Sequence, residues 1–596
     1  MKLSKFKQAA GIVMLVSLGA CGGSDTAAES ARKDTMLSSV EVSDNADGTN
    51  ASANATSTGS LTSTVKRMLM GGTVLSAPIS TQDASRFLSH ASFGATDQSI
   101  AAVAASGQAS WIEAQFAAPQ TLHRDYMVQY NATLKNGEVI SAMDFQGSFW
   151  KQAVTGNDQL RQRMTYALSQ IFVISTVDSN LYHHPLGVAD YYDKLGQFAF
   201  GNYRDLLQMV ALHPMMGTYL SHLRNQKEGV YRVPDENFAR EIMQLMSIGL
   251  YQLNQDGSQK LSGGKPIETY THDDIAGLAK VFTGWSWAGP DQSINRFFGV
   301  TIDPARDYTP MQIYPDYHSS STKSFLGVSV SGSNATNELK LALDTLFKHP
   351  NVGPFIGREL IQRLVMSNPS PAYISRVAAA FADNGSGVRG DMKAVIRAVL
   401  LDPEALDAST QKKLREPVLR LANWMRAFKG KSNSGFFPAW PTDDPSTGLG
   451  QSALRSPSVF NFYRPNYTPP NSSLEAAGKV APEMQITSGP STVGYLNFMQ
   501  DAIPLGVGKD FDVKRDYTTE LALILQPAQL VDRINLLLLN GSMSSTLRNA
   551  IIAAVNSVEQ PVPNSWNSWN VDTAKKNRVY LAIYLAMASP EYLVQR

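Results

Sequence analysis

From about Thr81 to the C-terminus, apolar residues recur every three or four positions. That period puts them on one face of a helix. Leu160, Met164, Leu168 and Ile171 keep the spacing through Asp158–Ser175, as do Leu206, Leu207 and Val210 through Tyr203–Leu212. Leu339–Phe347, Phe355–Val365, Tyr373–Phe381 and Met392–Leu401 carry the same signature. Pro214, Pro350, Pro369, Pro371 and Pro403 punctuate these runs as helix starts or stops. Strand-like alternation is scarce: Ser324–Ser331 is the best candidate, with Thr301–Tyr314 second. Residues 430–520, rich in Pro, Gly, Ser and Asn, read as long loops. The pattern predicts a mainly α fold. Residues 78–596 form one large multi-helix domain with long loops and at most a few short strands.

The first 77 residues follow a different pattern. Lys2, Lys5 and Lys7 precede an uncharged apolar run, Ala9–Ala20. That run falls short of the about 20 residues a bilayer span needs, and fits a secretory signal peptide over residues 1–20. It ends in Leu18-Gly19-Ala20-Cys21, which resembles the lipobox of bacterial lipoproteins. The resemblance implies cleavage before Cys21, lipidation of its thiol and a membrane anchor. By likeness to the enterobacterial sorting rule, Gly22 in place of Asp favours the outer membrane. Ser24–Leu61 holds no aromatic residue and is rich in Ser, Ala, Thr, Asp and Asn. Such a segment buries too little apolar surface to offset its ordering entropy. Residues 21–77 are therefore expected to be a disordered tether reaching roughly 40 Å.

Composition narrows the chemistry. The chain has 596 residues, 43% of them hydrophobic, and a formal net charge of +1. That balance argues against a nucleic-acid partner, which selects a basic excess. The single cysteine cannot form an internal disulfide, and once lipidated it leaves no thiol chemistry. P-loop, dinucleotide, zincin and nucleophile-elbow motifs do not occur.

Three stretches hold candidate chemistry. In Pro234–Leu250 (PDENFAREIMQLMSIGL), Asp235 suits a helix N-cap and Gly249 a C-terminal stop. Phe238, Ala239, Ile242, Met243, Leu245, Met246 and Leu250 share an apolar face. Glu236, Asn237, Arg240, Glu241 and Gln244 share the other. That row would hold a polar substrate or a metal, with Glu236, Arg240 and Glu241 as catalytic candidates. Read plainly, it is a solvated face with one ion pair. In Thr269–Trp287, Thr271 and Asp274 have the spacing of a capping box, which puts His272 and Asp273 at a helix N-terminus. They are metal-ligand candidates there, or charges complementing the helix dipole. Asp316–Gly327 (DYHSSSTKSFLG) adds His318 and Lys323. His183-His184 reads as loop, and His213 and His222 as structural. Asn237, Tyr270 and Trp285 are binding candidates. Aromatic loops around Phe149-Trp150, Trp285 and Trp287, Phe436-Phe437 with Trp440, and Phe460–Tyr467 would suit stacking on a polymer, or would simply be buried.

These segments resemble a family. RFLSHASFGAT (Arg86–Thr96), GNYRDLLQMVALHPMMGTYL (Gly201–Leu220), ENFAREIMQLMSIGL (Glu236–Leu250), Tyr270 with THDDIAGLAKVFTGW, and REPVLRL (Arg415–Leu421) are similar, in order, to the domain of unknown function 1800 family. DYHSSSTKSFLG looks like a variant of its His-Asp-x-Gly-x-Lys segment. The chain departs from the family pattern at Leu168-Ser169-Gln170-Ile171, where many members carry a His-rich run, and at Ser319, where others have Asp. The resemblance implies an exported, mainly helical protein. It also implies a partner resembling alkaline phosphatases and sulfatases, which the neighbouring genes of family members often encode.

Three functional expectations stand side by side. One is a lipid-anchored envelope protein that binds or presents a partner protein or polymer. The second is a metal-assisted hydrolase, with Glu236, Glu241, His272, Asp273 and His318 around a divalent ion or substrate. There one carboxylate would act as general base and Arg240 would steady an oxyanion. The third is structural: the ENFARE helix as a buried polar spine tied through Arg240.

Overall fold

The helix Gln159–Ser169 shows how the apolar stripes are used. Leu160, Met164 and Leu168 enter the core as the period predicts, but Gln162, Arg163 and Thr165 are buried too. A buried polar group needs a partner. Gln162 Nε2 donates to the Thr121 carbonyl at 3.1 Å, and Arg163 Nη2 to the Arg363 carbonyl at 2.6 Å. The helix stops at Ser169, short of the predicted Ser175. Beyond it the chain is claimed by a remote loop: the Thr176 N–H and the Ser175 hydroxyl donate to the carbonyls of Leu454 and Ser456. Helix Pro417–Ala427 is likewise buried on every side, including Arg420, Asn423 and Arg426.

This computed structural model describes residues 78–596 except 332, 333, 411, 439, 440, 565 and 596. The expected signal peptide, Cys21, the tether and Trp440 lie outside the described residues. Within them the fold is mainly α, with twenty-six α-helices. Strands occur only as five antiparallel two-stranded ladders of two or three residues per strand. Tyr203–Leu212 has the predicted bounds, and Ala335–Lys348, Val352–Leu364, Pro371–Ala382 and Met392–Leu400 sit over their predicted runs. None of these helices is long and apolar enough to cross a membrane.

Three expectations change. Ser324–Ser331 is not one strand but the heart of a hairpin, Lys323–Phe325 against Val328–Val330. Leu326 (φ 48°) and Gly327 (φ 76°) form the two-residue turn, and two positive φ values match the twist of a tight hairpin. Of Thr301–Tyr314 only Gln312–Ile313 is strand, paired with Trp285–Ser286. The stretch read as loops contains a 17-residue helix, Gly489–Leu505, opened by a Ser488/Ser491 capping box. Pro490 and Pro504 lie near its ends, so its punctuation outweighed its weak stripe of Tyr495, Met499 and Ile503. The described residues of 433–472 carry no helix or strand, yet Phe437, Leu449, Leu454 and Tyr463 are buried.

Helix His272–Val281 lies against the hairpin through Gly277, where a Cβ would overlap the Ser324 carbonyl oxygen. Asp274 closes the predicted capping box with Thr271 and also accepts the Leu326 N–H at 2.7 Å. Burial by itself raises its carboxyl pKa, but the N–H groups of Thr271 and Leu326 hold it below the usual range.

Candidate functional site

The ENFARE helix runs from Asn237 to Gln244, shorter than its apolar pattern. Its N-cap position is Glu236 rather than the expected Asp235, whose carboxylate sits one residue earlier and accepts the Asn237 N–H at 2.8 Å. At the far end the N–H groups of Ile248 and Gly249 both reach the Met243 carbonyl, at 3.0 and 2.9 Å. That reversal requires φ 70° at Gly249. Phe238, Ala239, Ile242 and Met243 are buried. Phe238 stacks on His222, ring centroids 3.8 Å apart, and meets Phe282 edge-on at 4.7 Å. Burial pushes the His222 imidazole down to about 4, so it is neutral at physiological pH. His213 is buried near Asp190 and accepts the Met215 N–H as a helix cap.

On the polar side Glu236, Arg240 and His272 come together. Arg240 Nη2 lies 3.3 Å and His272 Nδ1 3.8 Å from Glu236 Oε2. His272 is 72% exposed, so this contact is worth little by itself. Asn237 reaches the Ser221 hydroxyl at 3.4 Å, and Asp273 is exposed in the next helix's first turn. Glu241 departs from the expected solvated row: it is buried, and its Oε2 has no hydrogen-bond partner. The buried Tyr270 hydroxyl has none either. Burial pushes the Glu241 carboxyl up, opposed by Arg240. Tyr270 is pushed up to about 12, first by burial and then by the charge of Glu241.

The remaining candidates sit in structural contacts. His318 is buried with Nδ1 2.7 Å from the Thr283 carbonyl and Nε2 2.7 Å from Glu338 Oε2. Lys323 Nζ meets that same carboxylate oxygen at 2.9 Å. This knot ties the loop after Tyr314 to helix Ala335–Lys348. Trp285 is buried, its indole N–H donating to the Val281 carbonyl. Among the described residues no three His, Cys, Asp or Glu side chains form a group that could hold a metal ion.

A cleft lies at the other end of the ENFARE helix. Its volume is about 610 Å³, and Gln244, Leu245, Leu250, Phe355, Arg358, Val459, Phe460 and Arg464 are among the residues that line it. Gln170, Glu359 and Arg363 also line it. Behind them runs a buried ionic network. Arg363 pairs with Glu359 and donates to the Gln170 carbonyl. Gln170 Nε2 donates to Glu416 at 2.6 Å, as do Gln451 Nε2 at 2.7 Å and the Tyr166 hydroxyl at 3.1 Å. Lys413, fully buried, contacts Glu483 and lies 3.7 Å from Glu416.

A sequence model described as a protein of unknown function, DUF1800, matches residues 86–594. The chain belongs to the DUF1800 family. No curated protein and no solved structure matches it.

Segments that carry the resemblance to DUF1800 meet here with one where the chain departs from the family pattern. The family-like REPVLRL segment supplies Glu416 to the buried network, and Gln170 and Ile171, in the run where many members carry histidines, line the cleft. Arg358, Arg363 and Arg464 did not stand out in the sequence. For Arg358 and Arg363 the one signal was charge inside an otherwise apolar helix, FIGRELIQRL, while Arg464 lies in a loop. The aromatic loop around Phe460 was visible as a candidate surface, and it forms one cleft wall.

Proposed function

We propose that this DUF1800 protein is exported, lipid-anchored through Cys21 at the outer membrane, and binds a partner segment or polymer in the cleft beside the ENFARE helix. The observation that carries the reading is the cleft itself. Its volume falls within the about 300–1,000 Å³ of ligand sites, and it joins apolar walls to a few placed charges. The lipobox-like Leu18–Cys21 run and the Ser/Ala/Thr-rich stretch after it support the address. An exported phosphatase- or sulfatase-like protein is one partner the resemblance suggests.

The test is photo-crosslinking in living cells. A benzophenone amino acid at Leu250 should form a discrete adduct, and one at Val562, exposed but outside the cleft, should not. Labelling with an alkyne fatty acid should mark the wild type and not Cys21→Ala. Equal adducts at both positions would refute the binding face, and a labelled Cys21→Ala would refute the anchor.

A second reading has its own observation. Glu241 and Tyr270 hold buried oxygens without partners beside Glu236, Arg240 and His272. A carboxyl raised by burial suits general acid–base work on a hydrolysed substrate. Among the described residues no group of three metal-ligating side chains forms there, and this reading is built on the protein's own acid and base.

A further inference from the structure

We infer that the cleft seats an acidic peptide segment, with its carboxylates on Arg358 and Arg464 and its apolar side chains on the Leu250–Leu253 wall. This rests on reading the cleft as the binding face, and names what that face selects.

Charge is the first argument. Charges behind the cleft have carboxylate partners: Arg363 pairs with Glu359, and Lys413 contacts Glu483 and lies 3.7 Å from Glu416. Arg358 and Arg464, by contrast, line the cleft with no carboxylate paired to either among the described residues. The guanidinium of Arg464 lies over the Phe460 ring, 4.5 Å from its centroid. That contact orients it and leaves its N–H fork open to an acceptor. Two unneutralised guanidinium groups beside one cavity select an anion, and their planar forks match carboxylates in particular.

Shape and polarity then choose among anions. Leu250 is 48% exposed, and Leu253 and Val459 add aliphatic surface to a lining that also holds Tyr251, Phe355 and Phe460 and the polar Gln244, Gln259 and Asn466. The aliphatic part of that lining offers nothing to sugar hydroxyls, which would be desolvated against it at a cost. It does bury apolar side chains, which a peptide presents alternately with charged ones when extended. A segment alternating acidic and aliphatic residues satisfies both features of the cleft.

The experiment uses the full chain in nanodiscs and fluorescence anisotropy at low and physiological salt. The probe is a fluorescein-labelled octapeptide alternating Glu and Leu. Comparison probes alternate Gln and Leu, or Glu and Ser, and a labelled hexagalacturonate offers carboxylates on a sugar. The Glu–Leu peptide should bind, weaken with salt, and lose affinity when either its charge or its leucines are replaced. Arg358→Gln and Arg464→Gln should each weaken it roughly fivefold, while Arg358→Lys, which keeps the charge, should lose less. Equal binding to wild type and both Gln variants, or no binding at all, overturns the inference. Arginine-dependent binding of hexagalacturonate in place of the peptide also overturns it. In that case the cleft survives as the binding face, because the Leu250 crosslink reports on it separately.

Discussion

Replacing Lys413 with methionine should destabilise the protein in a strongly pH-dependent way. Lys413 is fully buried, in contact with Glu483, 3.7 Å from Glu416 and 3.0 Å from the Gln362 carbonyl. At an effective dielectric of about 20, an ion pair at 3.7 Å is worth roughly 4.5 kcal/mol of attraction. Removing one partner of a buried pair costs about 3–5 kcal/mol, because the other charge is left unpaired. The penalty has a ceiling, since a stranded carboxyl can take up a proton. Relative to an ordinary glutamate at 4.5, protonation costs about 4.8 kcal/mol at pH 8 and about 0.7 at pH 5, at about 1.36 kcal/mol per pH unit. Burial already holds Glu483 above the usual range, with Lys413 pulling it down and Glu416 pushing it up. A carboxyl raised in the folded state favours folding most below its unfolded value, and loses that contribution as pH rises. Lys413→Met should therefore lose about 3–5 kcal/mol at pH 8 and most of that loss should vanish near pH 5. Lys413→Met/Glu483→Gln should regain stability at pH 8. Urea unfolding followed by tryptophan fluorescence at both pH values measures each term. Equal losses at pH 5 and pH 8, with no rescue in the double variant, would show that packing, not charge, is what Lys413 contributes.

Two further outcomes follow from particular contacts. Gly277→Ala forces a methyl group into the Ser324 carbonyl, and should cost about 3 kcal/mol, read as a lowered urea midpoint, whereas Gly327→Asn in the open hairpin turn should cost under about 1. Glu241→Gln removes a buried charge that lacks a hydrogen-bond partner on Oε2, so thermal melting at pH 8 should hold or rise; a hydrolytic activity found by substrate screening and untouched by this change would end the acid–base reading.

The helical class was legible because most of the long helices bury a stripe whose period shows in the sequence, while Gly489–Leu505, with a weak stripe, was not legible. The capping box at Thr271 and Asp274 was legible for the same local reason, as were the ENFARE helix's apolar residues. The ENFARE polar row was legible only in part. Glu236, Arg240 and His272 do meet at the surface. Glu241 sits one position from Arg240 yet is buried beside Tyr270, a residue outside its own helix. Similarly, nothing near His318 announces that Glu338 will close on it from a helix twenty residues on.

What the sequence determined by itself is therefore whatever depends on neighbours within a turn or two: helix stripes, caps, turn glycines, the lipobox-like N-terminus and membership of a family. Tertiary structure alone decided which charges are neutralised and which face open space. Arg363 and Arg358 lie five residues apart on one helix, but Glu359 pairs with the first, and no acid among the described residues pairs with the second. Burial and long-range pairing set that difference. Both depend on segments brought together from across the chain, such as the contact between Gln170 and Glu416, 246 positions apart.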